Sequence, residues 1–279
     1  MTTARIDARF AALKAEGRAG FVAYVMAGDP SRDEALEILR GLPGAGADII
    51  ELGFPFSDPM AEGPPIQKAA QRGLKAGLTL KGTLDLARDF RDGDADTPVI
   101  LMGYLNPIET MGYTPFAALC ADSGVDGLIV VDCPPEEAGP LTDALDAHHI
   151  ALIRLATPTT DDARLKVVAD RTSGFVYYVS VAGVTGVKEA DAAAVAPAVA
   201  RVKNASGLPV AVGFGIKTPE RAAEIARVAD AVVVGSALVE EVDRALSENR
   251  SAAPGVLDKA SSLASAVRHA RLALGSEER

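Results

Sequence analysis

A single (β/α)8 barrel, the TIM-barrel form of the α/β class with extra helices, is the fold this sequence predicts. Three observations predict it. The chain has 279 residues, a usual length for one such barrel. Eight short apolar runs recur along it, mostly continuous rather than alternating, as in parallel strands buried on both faces. Amphipathic segments of helical period separate the runs, with no break in composition between them. One domain spanning 1–279 follows.

The runs lie at 21–27, 48–54, 98–104, 127–132, 150–156, 174–180, 209–213 and 231–235. After the first, Ser31 is placed to cap a helix over 31–42, and Glu34 three residues on suits a capping box. The interval between the second and third runs is long and has room for an extra helix. Residues 134–147 open with prolines and acids and keep helical spacing. Segments 160–170 and 218–228 each open with a threonine cap, Thr160 and Thr218, and Pro219 follows Thr218 at the first helical position. A last helix is expected at about 256–274, packed on the outside, with 251–255 as the turn before it.

Composition narrows the function classes. Hydrophobic residues make up 48%, enough for a large core, but Trp is absent, so small aliphatic side chains must fill it. The formal net charge of -10 repels phosphate backbones and argues against nucleic acid as a partner. It leaves room for a small anionic substrate, because a few backbone amides bind phosphate locally. Cys120 and Cys133 are too far apart for a CxxC pair, and the three histidines show no ligand spacing, so no metal is expected. Free thiols suit a reducing cytosol. His148 and His149 read as solvent-facing. The first ten residues carry no apolar signal region and no run reaches membrane-spanning length, so a cytoplasmic chain is expected.

In such barrels chemistry sits at the carboxyl ends of the strands. Three glycine-rich segments lie at three successive strand ends: Gly183-Val184-Thr185-Gly186, Gly213-Phe214-Gly215-Ile216 and Gly235-Ser236-Ala237. Any one alone resembles an ordinary turn. Together they point to a phosphate site, because glycine lets amides approach a ligand and a helix N-terminus favours an anion. Gly186, Gly215 and Gly235 would supply amides, Ser236 an amide and a hydroxyl, and Phe214 lies in the same wall. No Lys or Arg is required.

Glu51 lies among apolar residues inside the second run, opposite in alternation to Ile50 and Leu52. Pointing inward, it would be pushed toward its neutral form and could both give and take protons. A structural Glu paired with a cation brought near by the fold is the alternative. The Pro- and Gly-rich loop that follows carries Asp58 and Glu62, each either a solvated charge or the second member of an acid/base pair.

At these residues the chain resembles the tryptophan synthase alpha family. Glu51-Leu52-Gly53-Phe54-Pro55-Phe56-Ser57-Asp58-Pro59 is similar to the family's signature around its catalytic Glu. The likeness extends through Gly28-Asp29-Pro30, Tyr104-Leu105-Asn106-Pro107 and the three glycine segments. The resemblance implies retro-aldol cleavage of indole-3-glycerol phosphate, with Glu51 as the acid/base. The family's second carboxylate is an Asp; here Glu62 stands there, one methylene longer. Tyr177 matches a family Tyr near Glu51, while Phe175 replaces another two residues earlier. Tyr24, Ile66 and Tyr104 would border the indole pocket. Gly183 and Thr185 match a loop that closes over the site, preceded here by Val181-Ala182 where some members have Arg-Ser. Asp58 matches an acid that contacts the beta subunit. The resemblance further implies an alpha2beta2 heterotetramer, with indole passed to a pyridoxal-phosphate beta subunit and no cofactor in this chain. Another phosphate-binding barrel enzyme, a regulatory subunit without catalysis and a stand-alone indole-releasing lyase are the competing readings.

Overall fold

The computed structural model describes residues 4–180, 192–213 and 215–271. Eight parallel strands close into a barrel in chain order, and the last pairs with the first. Helix α1 (Ala4–Ala15) precedes β1 (Gly20–Met26), followed by α2 (Arg32–Gly41) and β2 (Ile49–Gly53). Two helices, α3 (Pro64–Lys75) and α4 (Leu80–Arg91), fill the long interval before β3 (Val99–Gly103). Two more, α5 (Leu105–Met111) and α6 (Tyr113–Asp122), lead to β4 (Gly127–Val130). Then come α7 (Gly139–Asp146), β5 (Ala151–Ala156), α8 (Asp162–Ala169), β6 (Val176–Val179) and α9 (Ala192–Ser206). The last elements are β7 (Val210–Gly213), α10 (Pro219–Ala226), β8 (Ala231–Val234), α11 (Ser236–Ser247) and α12 (Ala253–His269). All eight apolar runs therefore become strands.

Alternation sorts the strand residues into two cores. Ile50, Leu52, Leu101, Leu128, Val176, Val212 and Val232 face outward and pack beneath the helices. Val22, Tyr24, Ile49, Ile100, Ile129, Ile153, Tyr177 and Val233 face the barrel axis. Glu51, two residues from Ile49, shares that inner face, as alternation predicted.

Helix α1 was not foreseen in the sequence. Its Ile6, Phe10 and Leu13 are buried among the inward residues and stopper the amino end of the barrel, with the Phe10 ring 5.6 Å from that of Phe175. Four local expectations also change. Ser31 does cap α2, accepting from the Glu34 amide at 3.3 Å, but the Glu34 carboxylate accepts instead from the Ala252 amide at 2.7 Å and so ties α2 to the start of α12. The cap of α8 is Asp161, accepting from the Arg164 amide at 2.7 Å, while Thr160 bonds the Thr157 amide. Residues 134–138 form a turn, and α7 starts only at Gly139. Pro254 and Gly255 lie in the first turn of α12, where a proline loses no helical hydrogen bond. That helix ends at His269; Leu274 lies outside the described residues. It packs on α2, α10 and α11, on the outside as expected.

Candidate active site

An opening at the carboxyl end of the barrel leads inward to Glu51. It holds about 520 Å³ of space including its mouth. Tyr24, Glu51, Glu62, Ile66, Tyr177, Gly215, Gly235 and Ser236 all face it, so eight residues singled out from sequence meet in one chamber.

Glu51 hangs from β2 next to Tyr24 of β1, its register partner. It is 1% exposed, and its Oε2 has no hydrogen-bond partner among the described residues. Burial pushes its carboxyl up to about 8, and repulsion from Glu62 adds to the rise. Glu62 comes from the loop that ends in Gly63, the N-cap of α3. The Gln67 side-chain amide donates to the Glu62 carbonyl at 2.8 Å and anchors that turn. Burial pushes the Glu62 carboxyl up to about 7. Among the described residues neither carboxylate has a cation within ion-pair distance. Among the described residues Glu51 thus has no salt-bridge partner, and Glu62 rather than Asp58 is the second acid lining the chamber.

Two tyrosines flank the pair. Burial, then the charges of Glu62 and Glu51, hold the Tyr24 hydroxyl well above its ordinary value; burial, then Glu51 and Glu62, do the same for Tyr177. Both stay protonated and able to donate. Their placement needs glycine at adjacent strand ends. A Cβ on Gly53 would lie 2.3 Å from the Tyr24 hydroxyl oxygen, and one on Gly213 would lie 2.1 Å from that of Tyr177. Neither distance is possible, so each ring lies directly over a glycine.

Between the two tyrosines the wall carries Gly215, Ile216 and Lys217 after β7, and Gly235 and Ser236 where β8 turns into α11. Gly215 has φ +73°, a conformation that glycine adopts freely. Gly235 is the N-cap of α11, whose twelve residues point their first amides and positive dipole end toward the chamber. An anion is favoured there.

Tyr104 is not among the residues lining the chamber, although its hydroxyl is near enough to Glu62 and Tyr24 to interact with both. It is buried behind the loop, its hydroxyl accepting from the Ala61 amide at 3.0 Å and its ring stacked on Phe56 at 5.2 Å. It therefore supports the segment that carries Glu62. Asp58 is exposed on the same loop, outside the chamber, beside Met60 at 74% exposure. Gly183, Thr185, Gly186 and Phe214 lie outside the described residues. Sequence reasoning missed Met102, Val233 and Lys217 in the chamber wall. Inward alternation from Ile100, and from Gly235 back along β8, was the signal available for the first two. Lys217 follows two residues after Gly215 and carried no such signal. No cluster of metal-ligating side chains occurs among the described residues.

Comparison with known proteins is consistent along the whole chain. The family model described as tryptophan synthase alpha chain matches residues 10–268. The tryptophan synthase alpha chain of Caulobacter sp. (strain K31) is 72% identical over 274 residues, covering 98% of this chain and 100% of the relative. That of Phenylobacterium zucineum (strain HLK1) is 74% identical over 271 residues, covering 97% and 98%. Among solved structures, tryptophan synthase subunit alpha from Legionella pneumophila str. Paris superposes with a TM-score of 0.88 at 41% identity, covering 94% of this chain and 98% of that one. The aminoacrylate-bound tryptophan synthase from M. tuberculosis gives a TM-score of 0.84 at 32% identity, covering 94% and 99%. By sequence and by barrel, the chain belongs to the tryptophan synthase alpha chain family.

Proposed function

We propose that Glu51 and Glu62 divide the proton work of the family's reaction. The chain is a carbon–carbon lyase that cleaves indole-3-glycerol phosphate into indole and glyceraldehyde 3-phosphate. Neutral Glu51 gives its proton to indole C3, and positive charge develops on the ring nitrogen. Ionised Glu62 accepts a hydrogen bond from the N1–H and stabilises that charge. The Glu51 carboxylate then takes the proton of the hydroxyl on the adjoining carbon. The C–C bond breaks, its electron pair returns to the indole ring, and the hydroxyl carbon becomes the aldehyde. Glu51 ends protonated, as it began, so the cycle needs no outside acid or base.

Gly215, Gly235 and Ser236 would hold the phosphate through amides and the Ser236 hydroxyl, aided by the α11 dipole. Gly186 and Phe214 join them by resemblance. Ile66, Tyr24 and Tyr177 shape the indole end, with Gly183 and Thr185 in the closing loop. The observation that carries this reading is a pair of buried carboxylates with no cation partner, facing a helix N-terminus across one chamber.

We further propose that the chain acts as one domain in the cytoplasm, without a cofactor of its own, beside a pyridoxal-phosphate beta subunit in an alpha2beta2 assembly. The exposed Asp58 and Met60 suit the docking face. Indole release should be measured for the chain alone and with a beta subunit, with Glu51→Gln in parallel. Wild type should release indole and gain from the partner, and the variant should lose about 10²–10⁴ in rate, the usual worth of a positioned acid/base. No release by wild type even with the partner would leave a ligand-binding regulatory subunit as the better account.

A further inference from the structure

We propose that Lys217 is a direct contact of the substrate phosphate, drawn out of a resting ion pair with Glu240 when the dianion arrives. The proposal deepens the lyase reading and rests on it. Lys217 stands in the chamber wall beside Gly215 and Ser236, and no other Lys or Arg among the described residues lines that chamber. Its Nζ donates to the Glu240 carboxylate at 2.6 Å. Glu240 is four residues after Ser236 in α11, on the same helix face, so the ammonium is held about one helical turn from the expected phosphate position.

The pair can exchange partners. The two side chains are 39% and 40% exposed, and ion pairs this open contribute only about 0–1 kcal/mol. A phosphate dianion presents twice the charge of a carboxylate and sits where amides and a helix dipole already bind it. It also enters a chamber with two carboxylates in a chain of net charge -10, where one mobile cation offsets repulsion that dipoles alone must otherwise carry. This departs from the expectation that no Lys or Arg is needed, and the binding test below decides between the two.

The test uses the full chain and two probes, 3-(indol-3-yl)propan-1-ol and its phosphate monoester, with binding read by calorimetry. Lys217→Gln should weaken the ester by about tenfold, the lower end for a lost charge-assisted hydrogen bond, and move the alcohol little. The KM for indole-3-glycerol phosphate should rise in step. Lys217→Arg should restore the ester, which a loss of folding would not permit. Glu240→Gln should tighten the ester, and the gain should vanish when combined with Lys217→Gln. Unchanged ester binding in Lys217→Gln, or equal losses for ester and alcohol, would overturn the proposal while leaving the lyase intact. A wild type that binds neither probe and releases no indole would sink the lyase reading, and this proposal with it.

Discussion

Glu62 gives up its proton before Glu51 does, and the ionised Glu62 then helps hold Glu51 in its acid form. Between about 7 and about 8 the chamber therefore favours one acid and one anion, the states from which the proposed division of proton work starts. The profile of kcat/KM against pH should be a bell in the free enzyme, rising through about 7 and falling through about 8, values that belong to the coupled pair. In Glu62→Gln the rising limb should disappear and the falling limb should move down, because the repulsion on Glu51 is gone. A profile for that variant identical in shape to wild type would remove Glu62 from the chemistry. Stability follows from the same residues. A raised carboxyl keeps its proton in the folded state after the unfolded chain has lost it, so folding is penalised as pH climbs from the ordinary Glu value to about 8. Glu51→Gln should gain up to about 5 kcal/mol above that range, about 1.4 kcal/mol for each pH unit of the rise, and about nothing below pH 4, measured by urea unfolding at each pH.

Among elements, the strand ends are built so that a side chain from one strand crosses a glycine of its neighbour. Gly213→Ala puts a methyl into the Tyr177 hydroxyl, and the ring must leave its place beside Glu51. The substitution should cost about 1–3 kcal/mol as overpacking and lower kcat/KM together with it; a tolerated, fully active variant would show that Tyr177 has no fixed position to lose. The strands themselves were legible because double-sided burial writes an apolar run directly into the sequence. Glu51 was legible for the converse reason, an acid where only apolar residues belong. The losses lie where partners are distant in sequence. Glu34 looked like its own helix's capping residue, and only the approach of Ala252 shows otherwise. Lys217 looked like a loop lysine until the packing of α11 put Glu240 beside it. Tyr104 could be assigned to the region of the site from sequence, but its bond to the Ala61 amide depends on the path of the loop.

For the molecule as a whole, stability and chemistry occupy opposite ends of the barrel. Phe10 of α1 is 8% exposed and packs against Phe175 at the amino end, and the chamber opens at the carboxyl end. Phe10→Ala should therefore cost about 3–5 kcal/mol in urea unfolding while the folded fraction keeps its KM. A change in KM comparable to that of a chamber variant would mean that the two ends are coupled. The stopper formed by Ile6, Phe10 and Leu13 has one more consequence. With its base closed, the chamber opens by a doorway at the carboxyl end among the described residues, and on the proposed reading both products depart through the face by which the substrate arrived. On that reading the aldehyde fragment, held at the rim by the turn into α11, stands nearest the exit, and the indole ring, placed beside Glu51, waits behind it. Whatever accepts indole has to meet the molecule at that doorway, which is where the loop bearing Glu62 also turns its outer side to solvent.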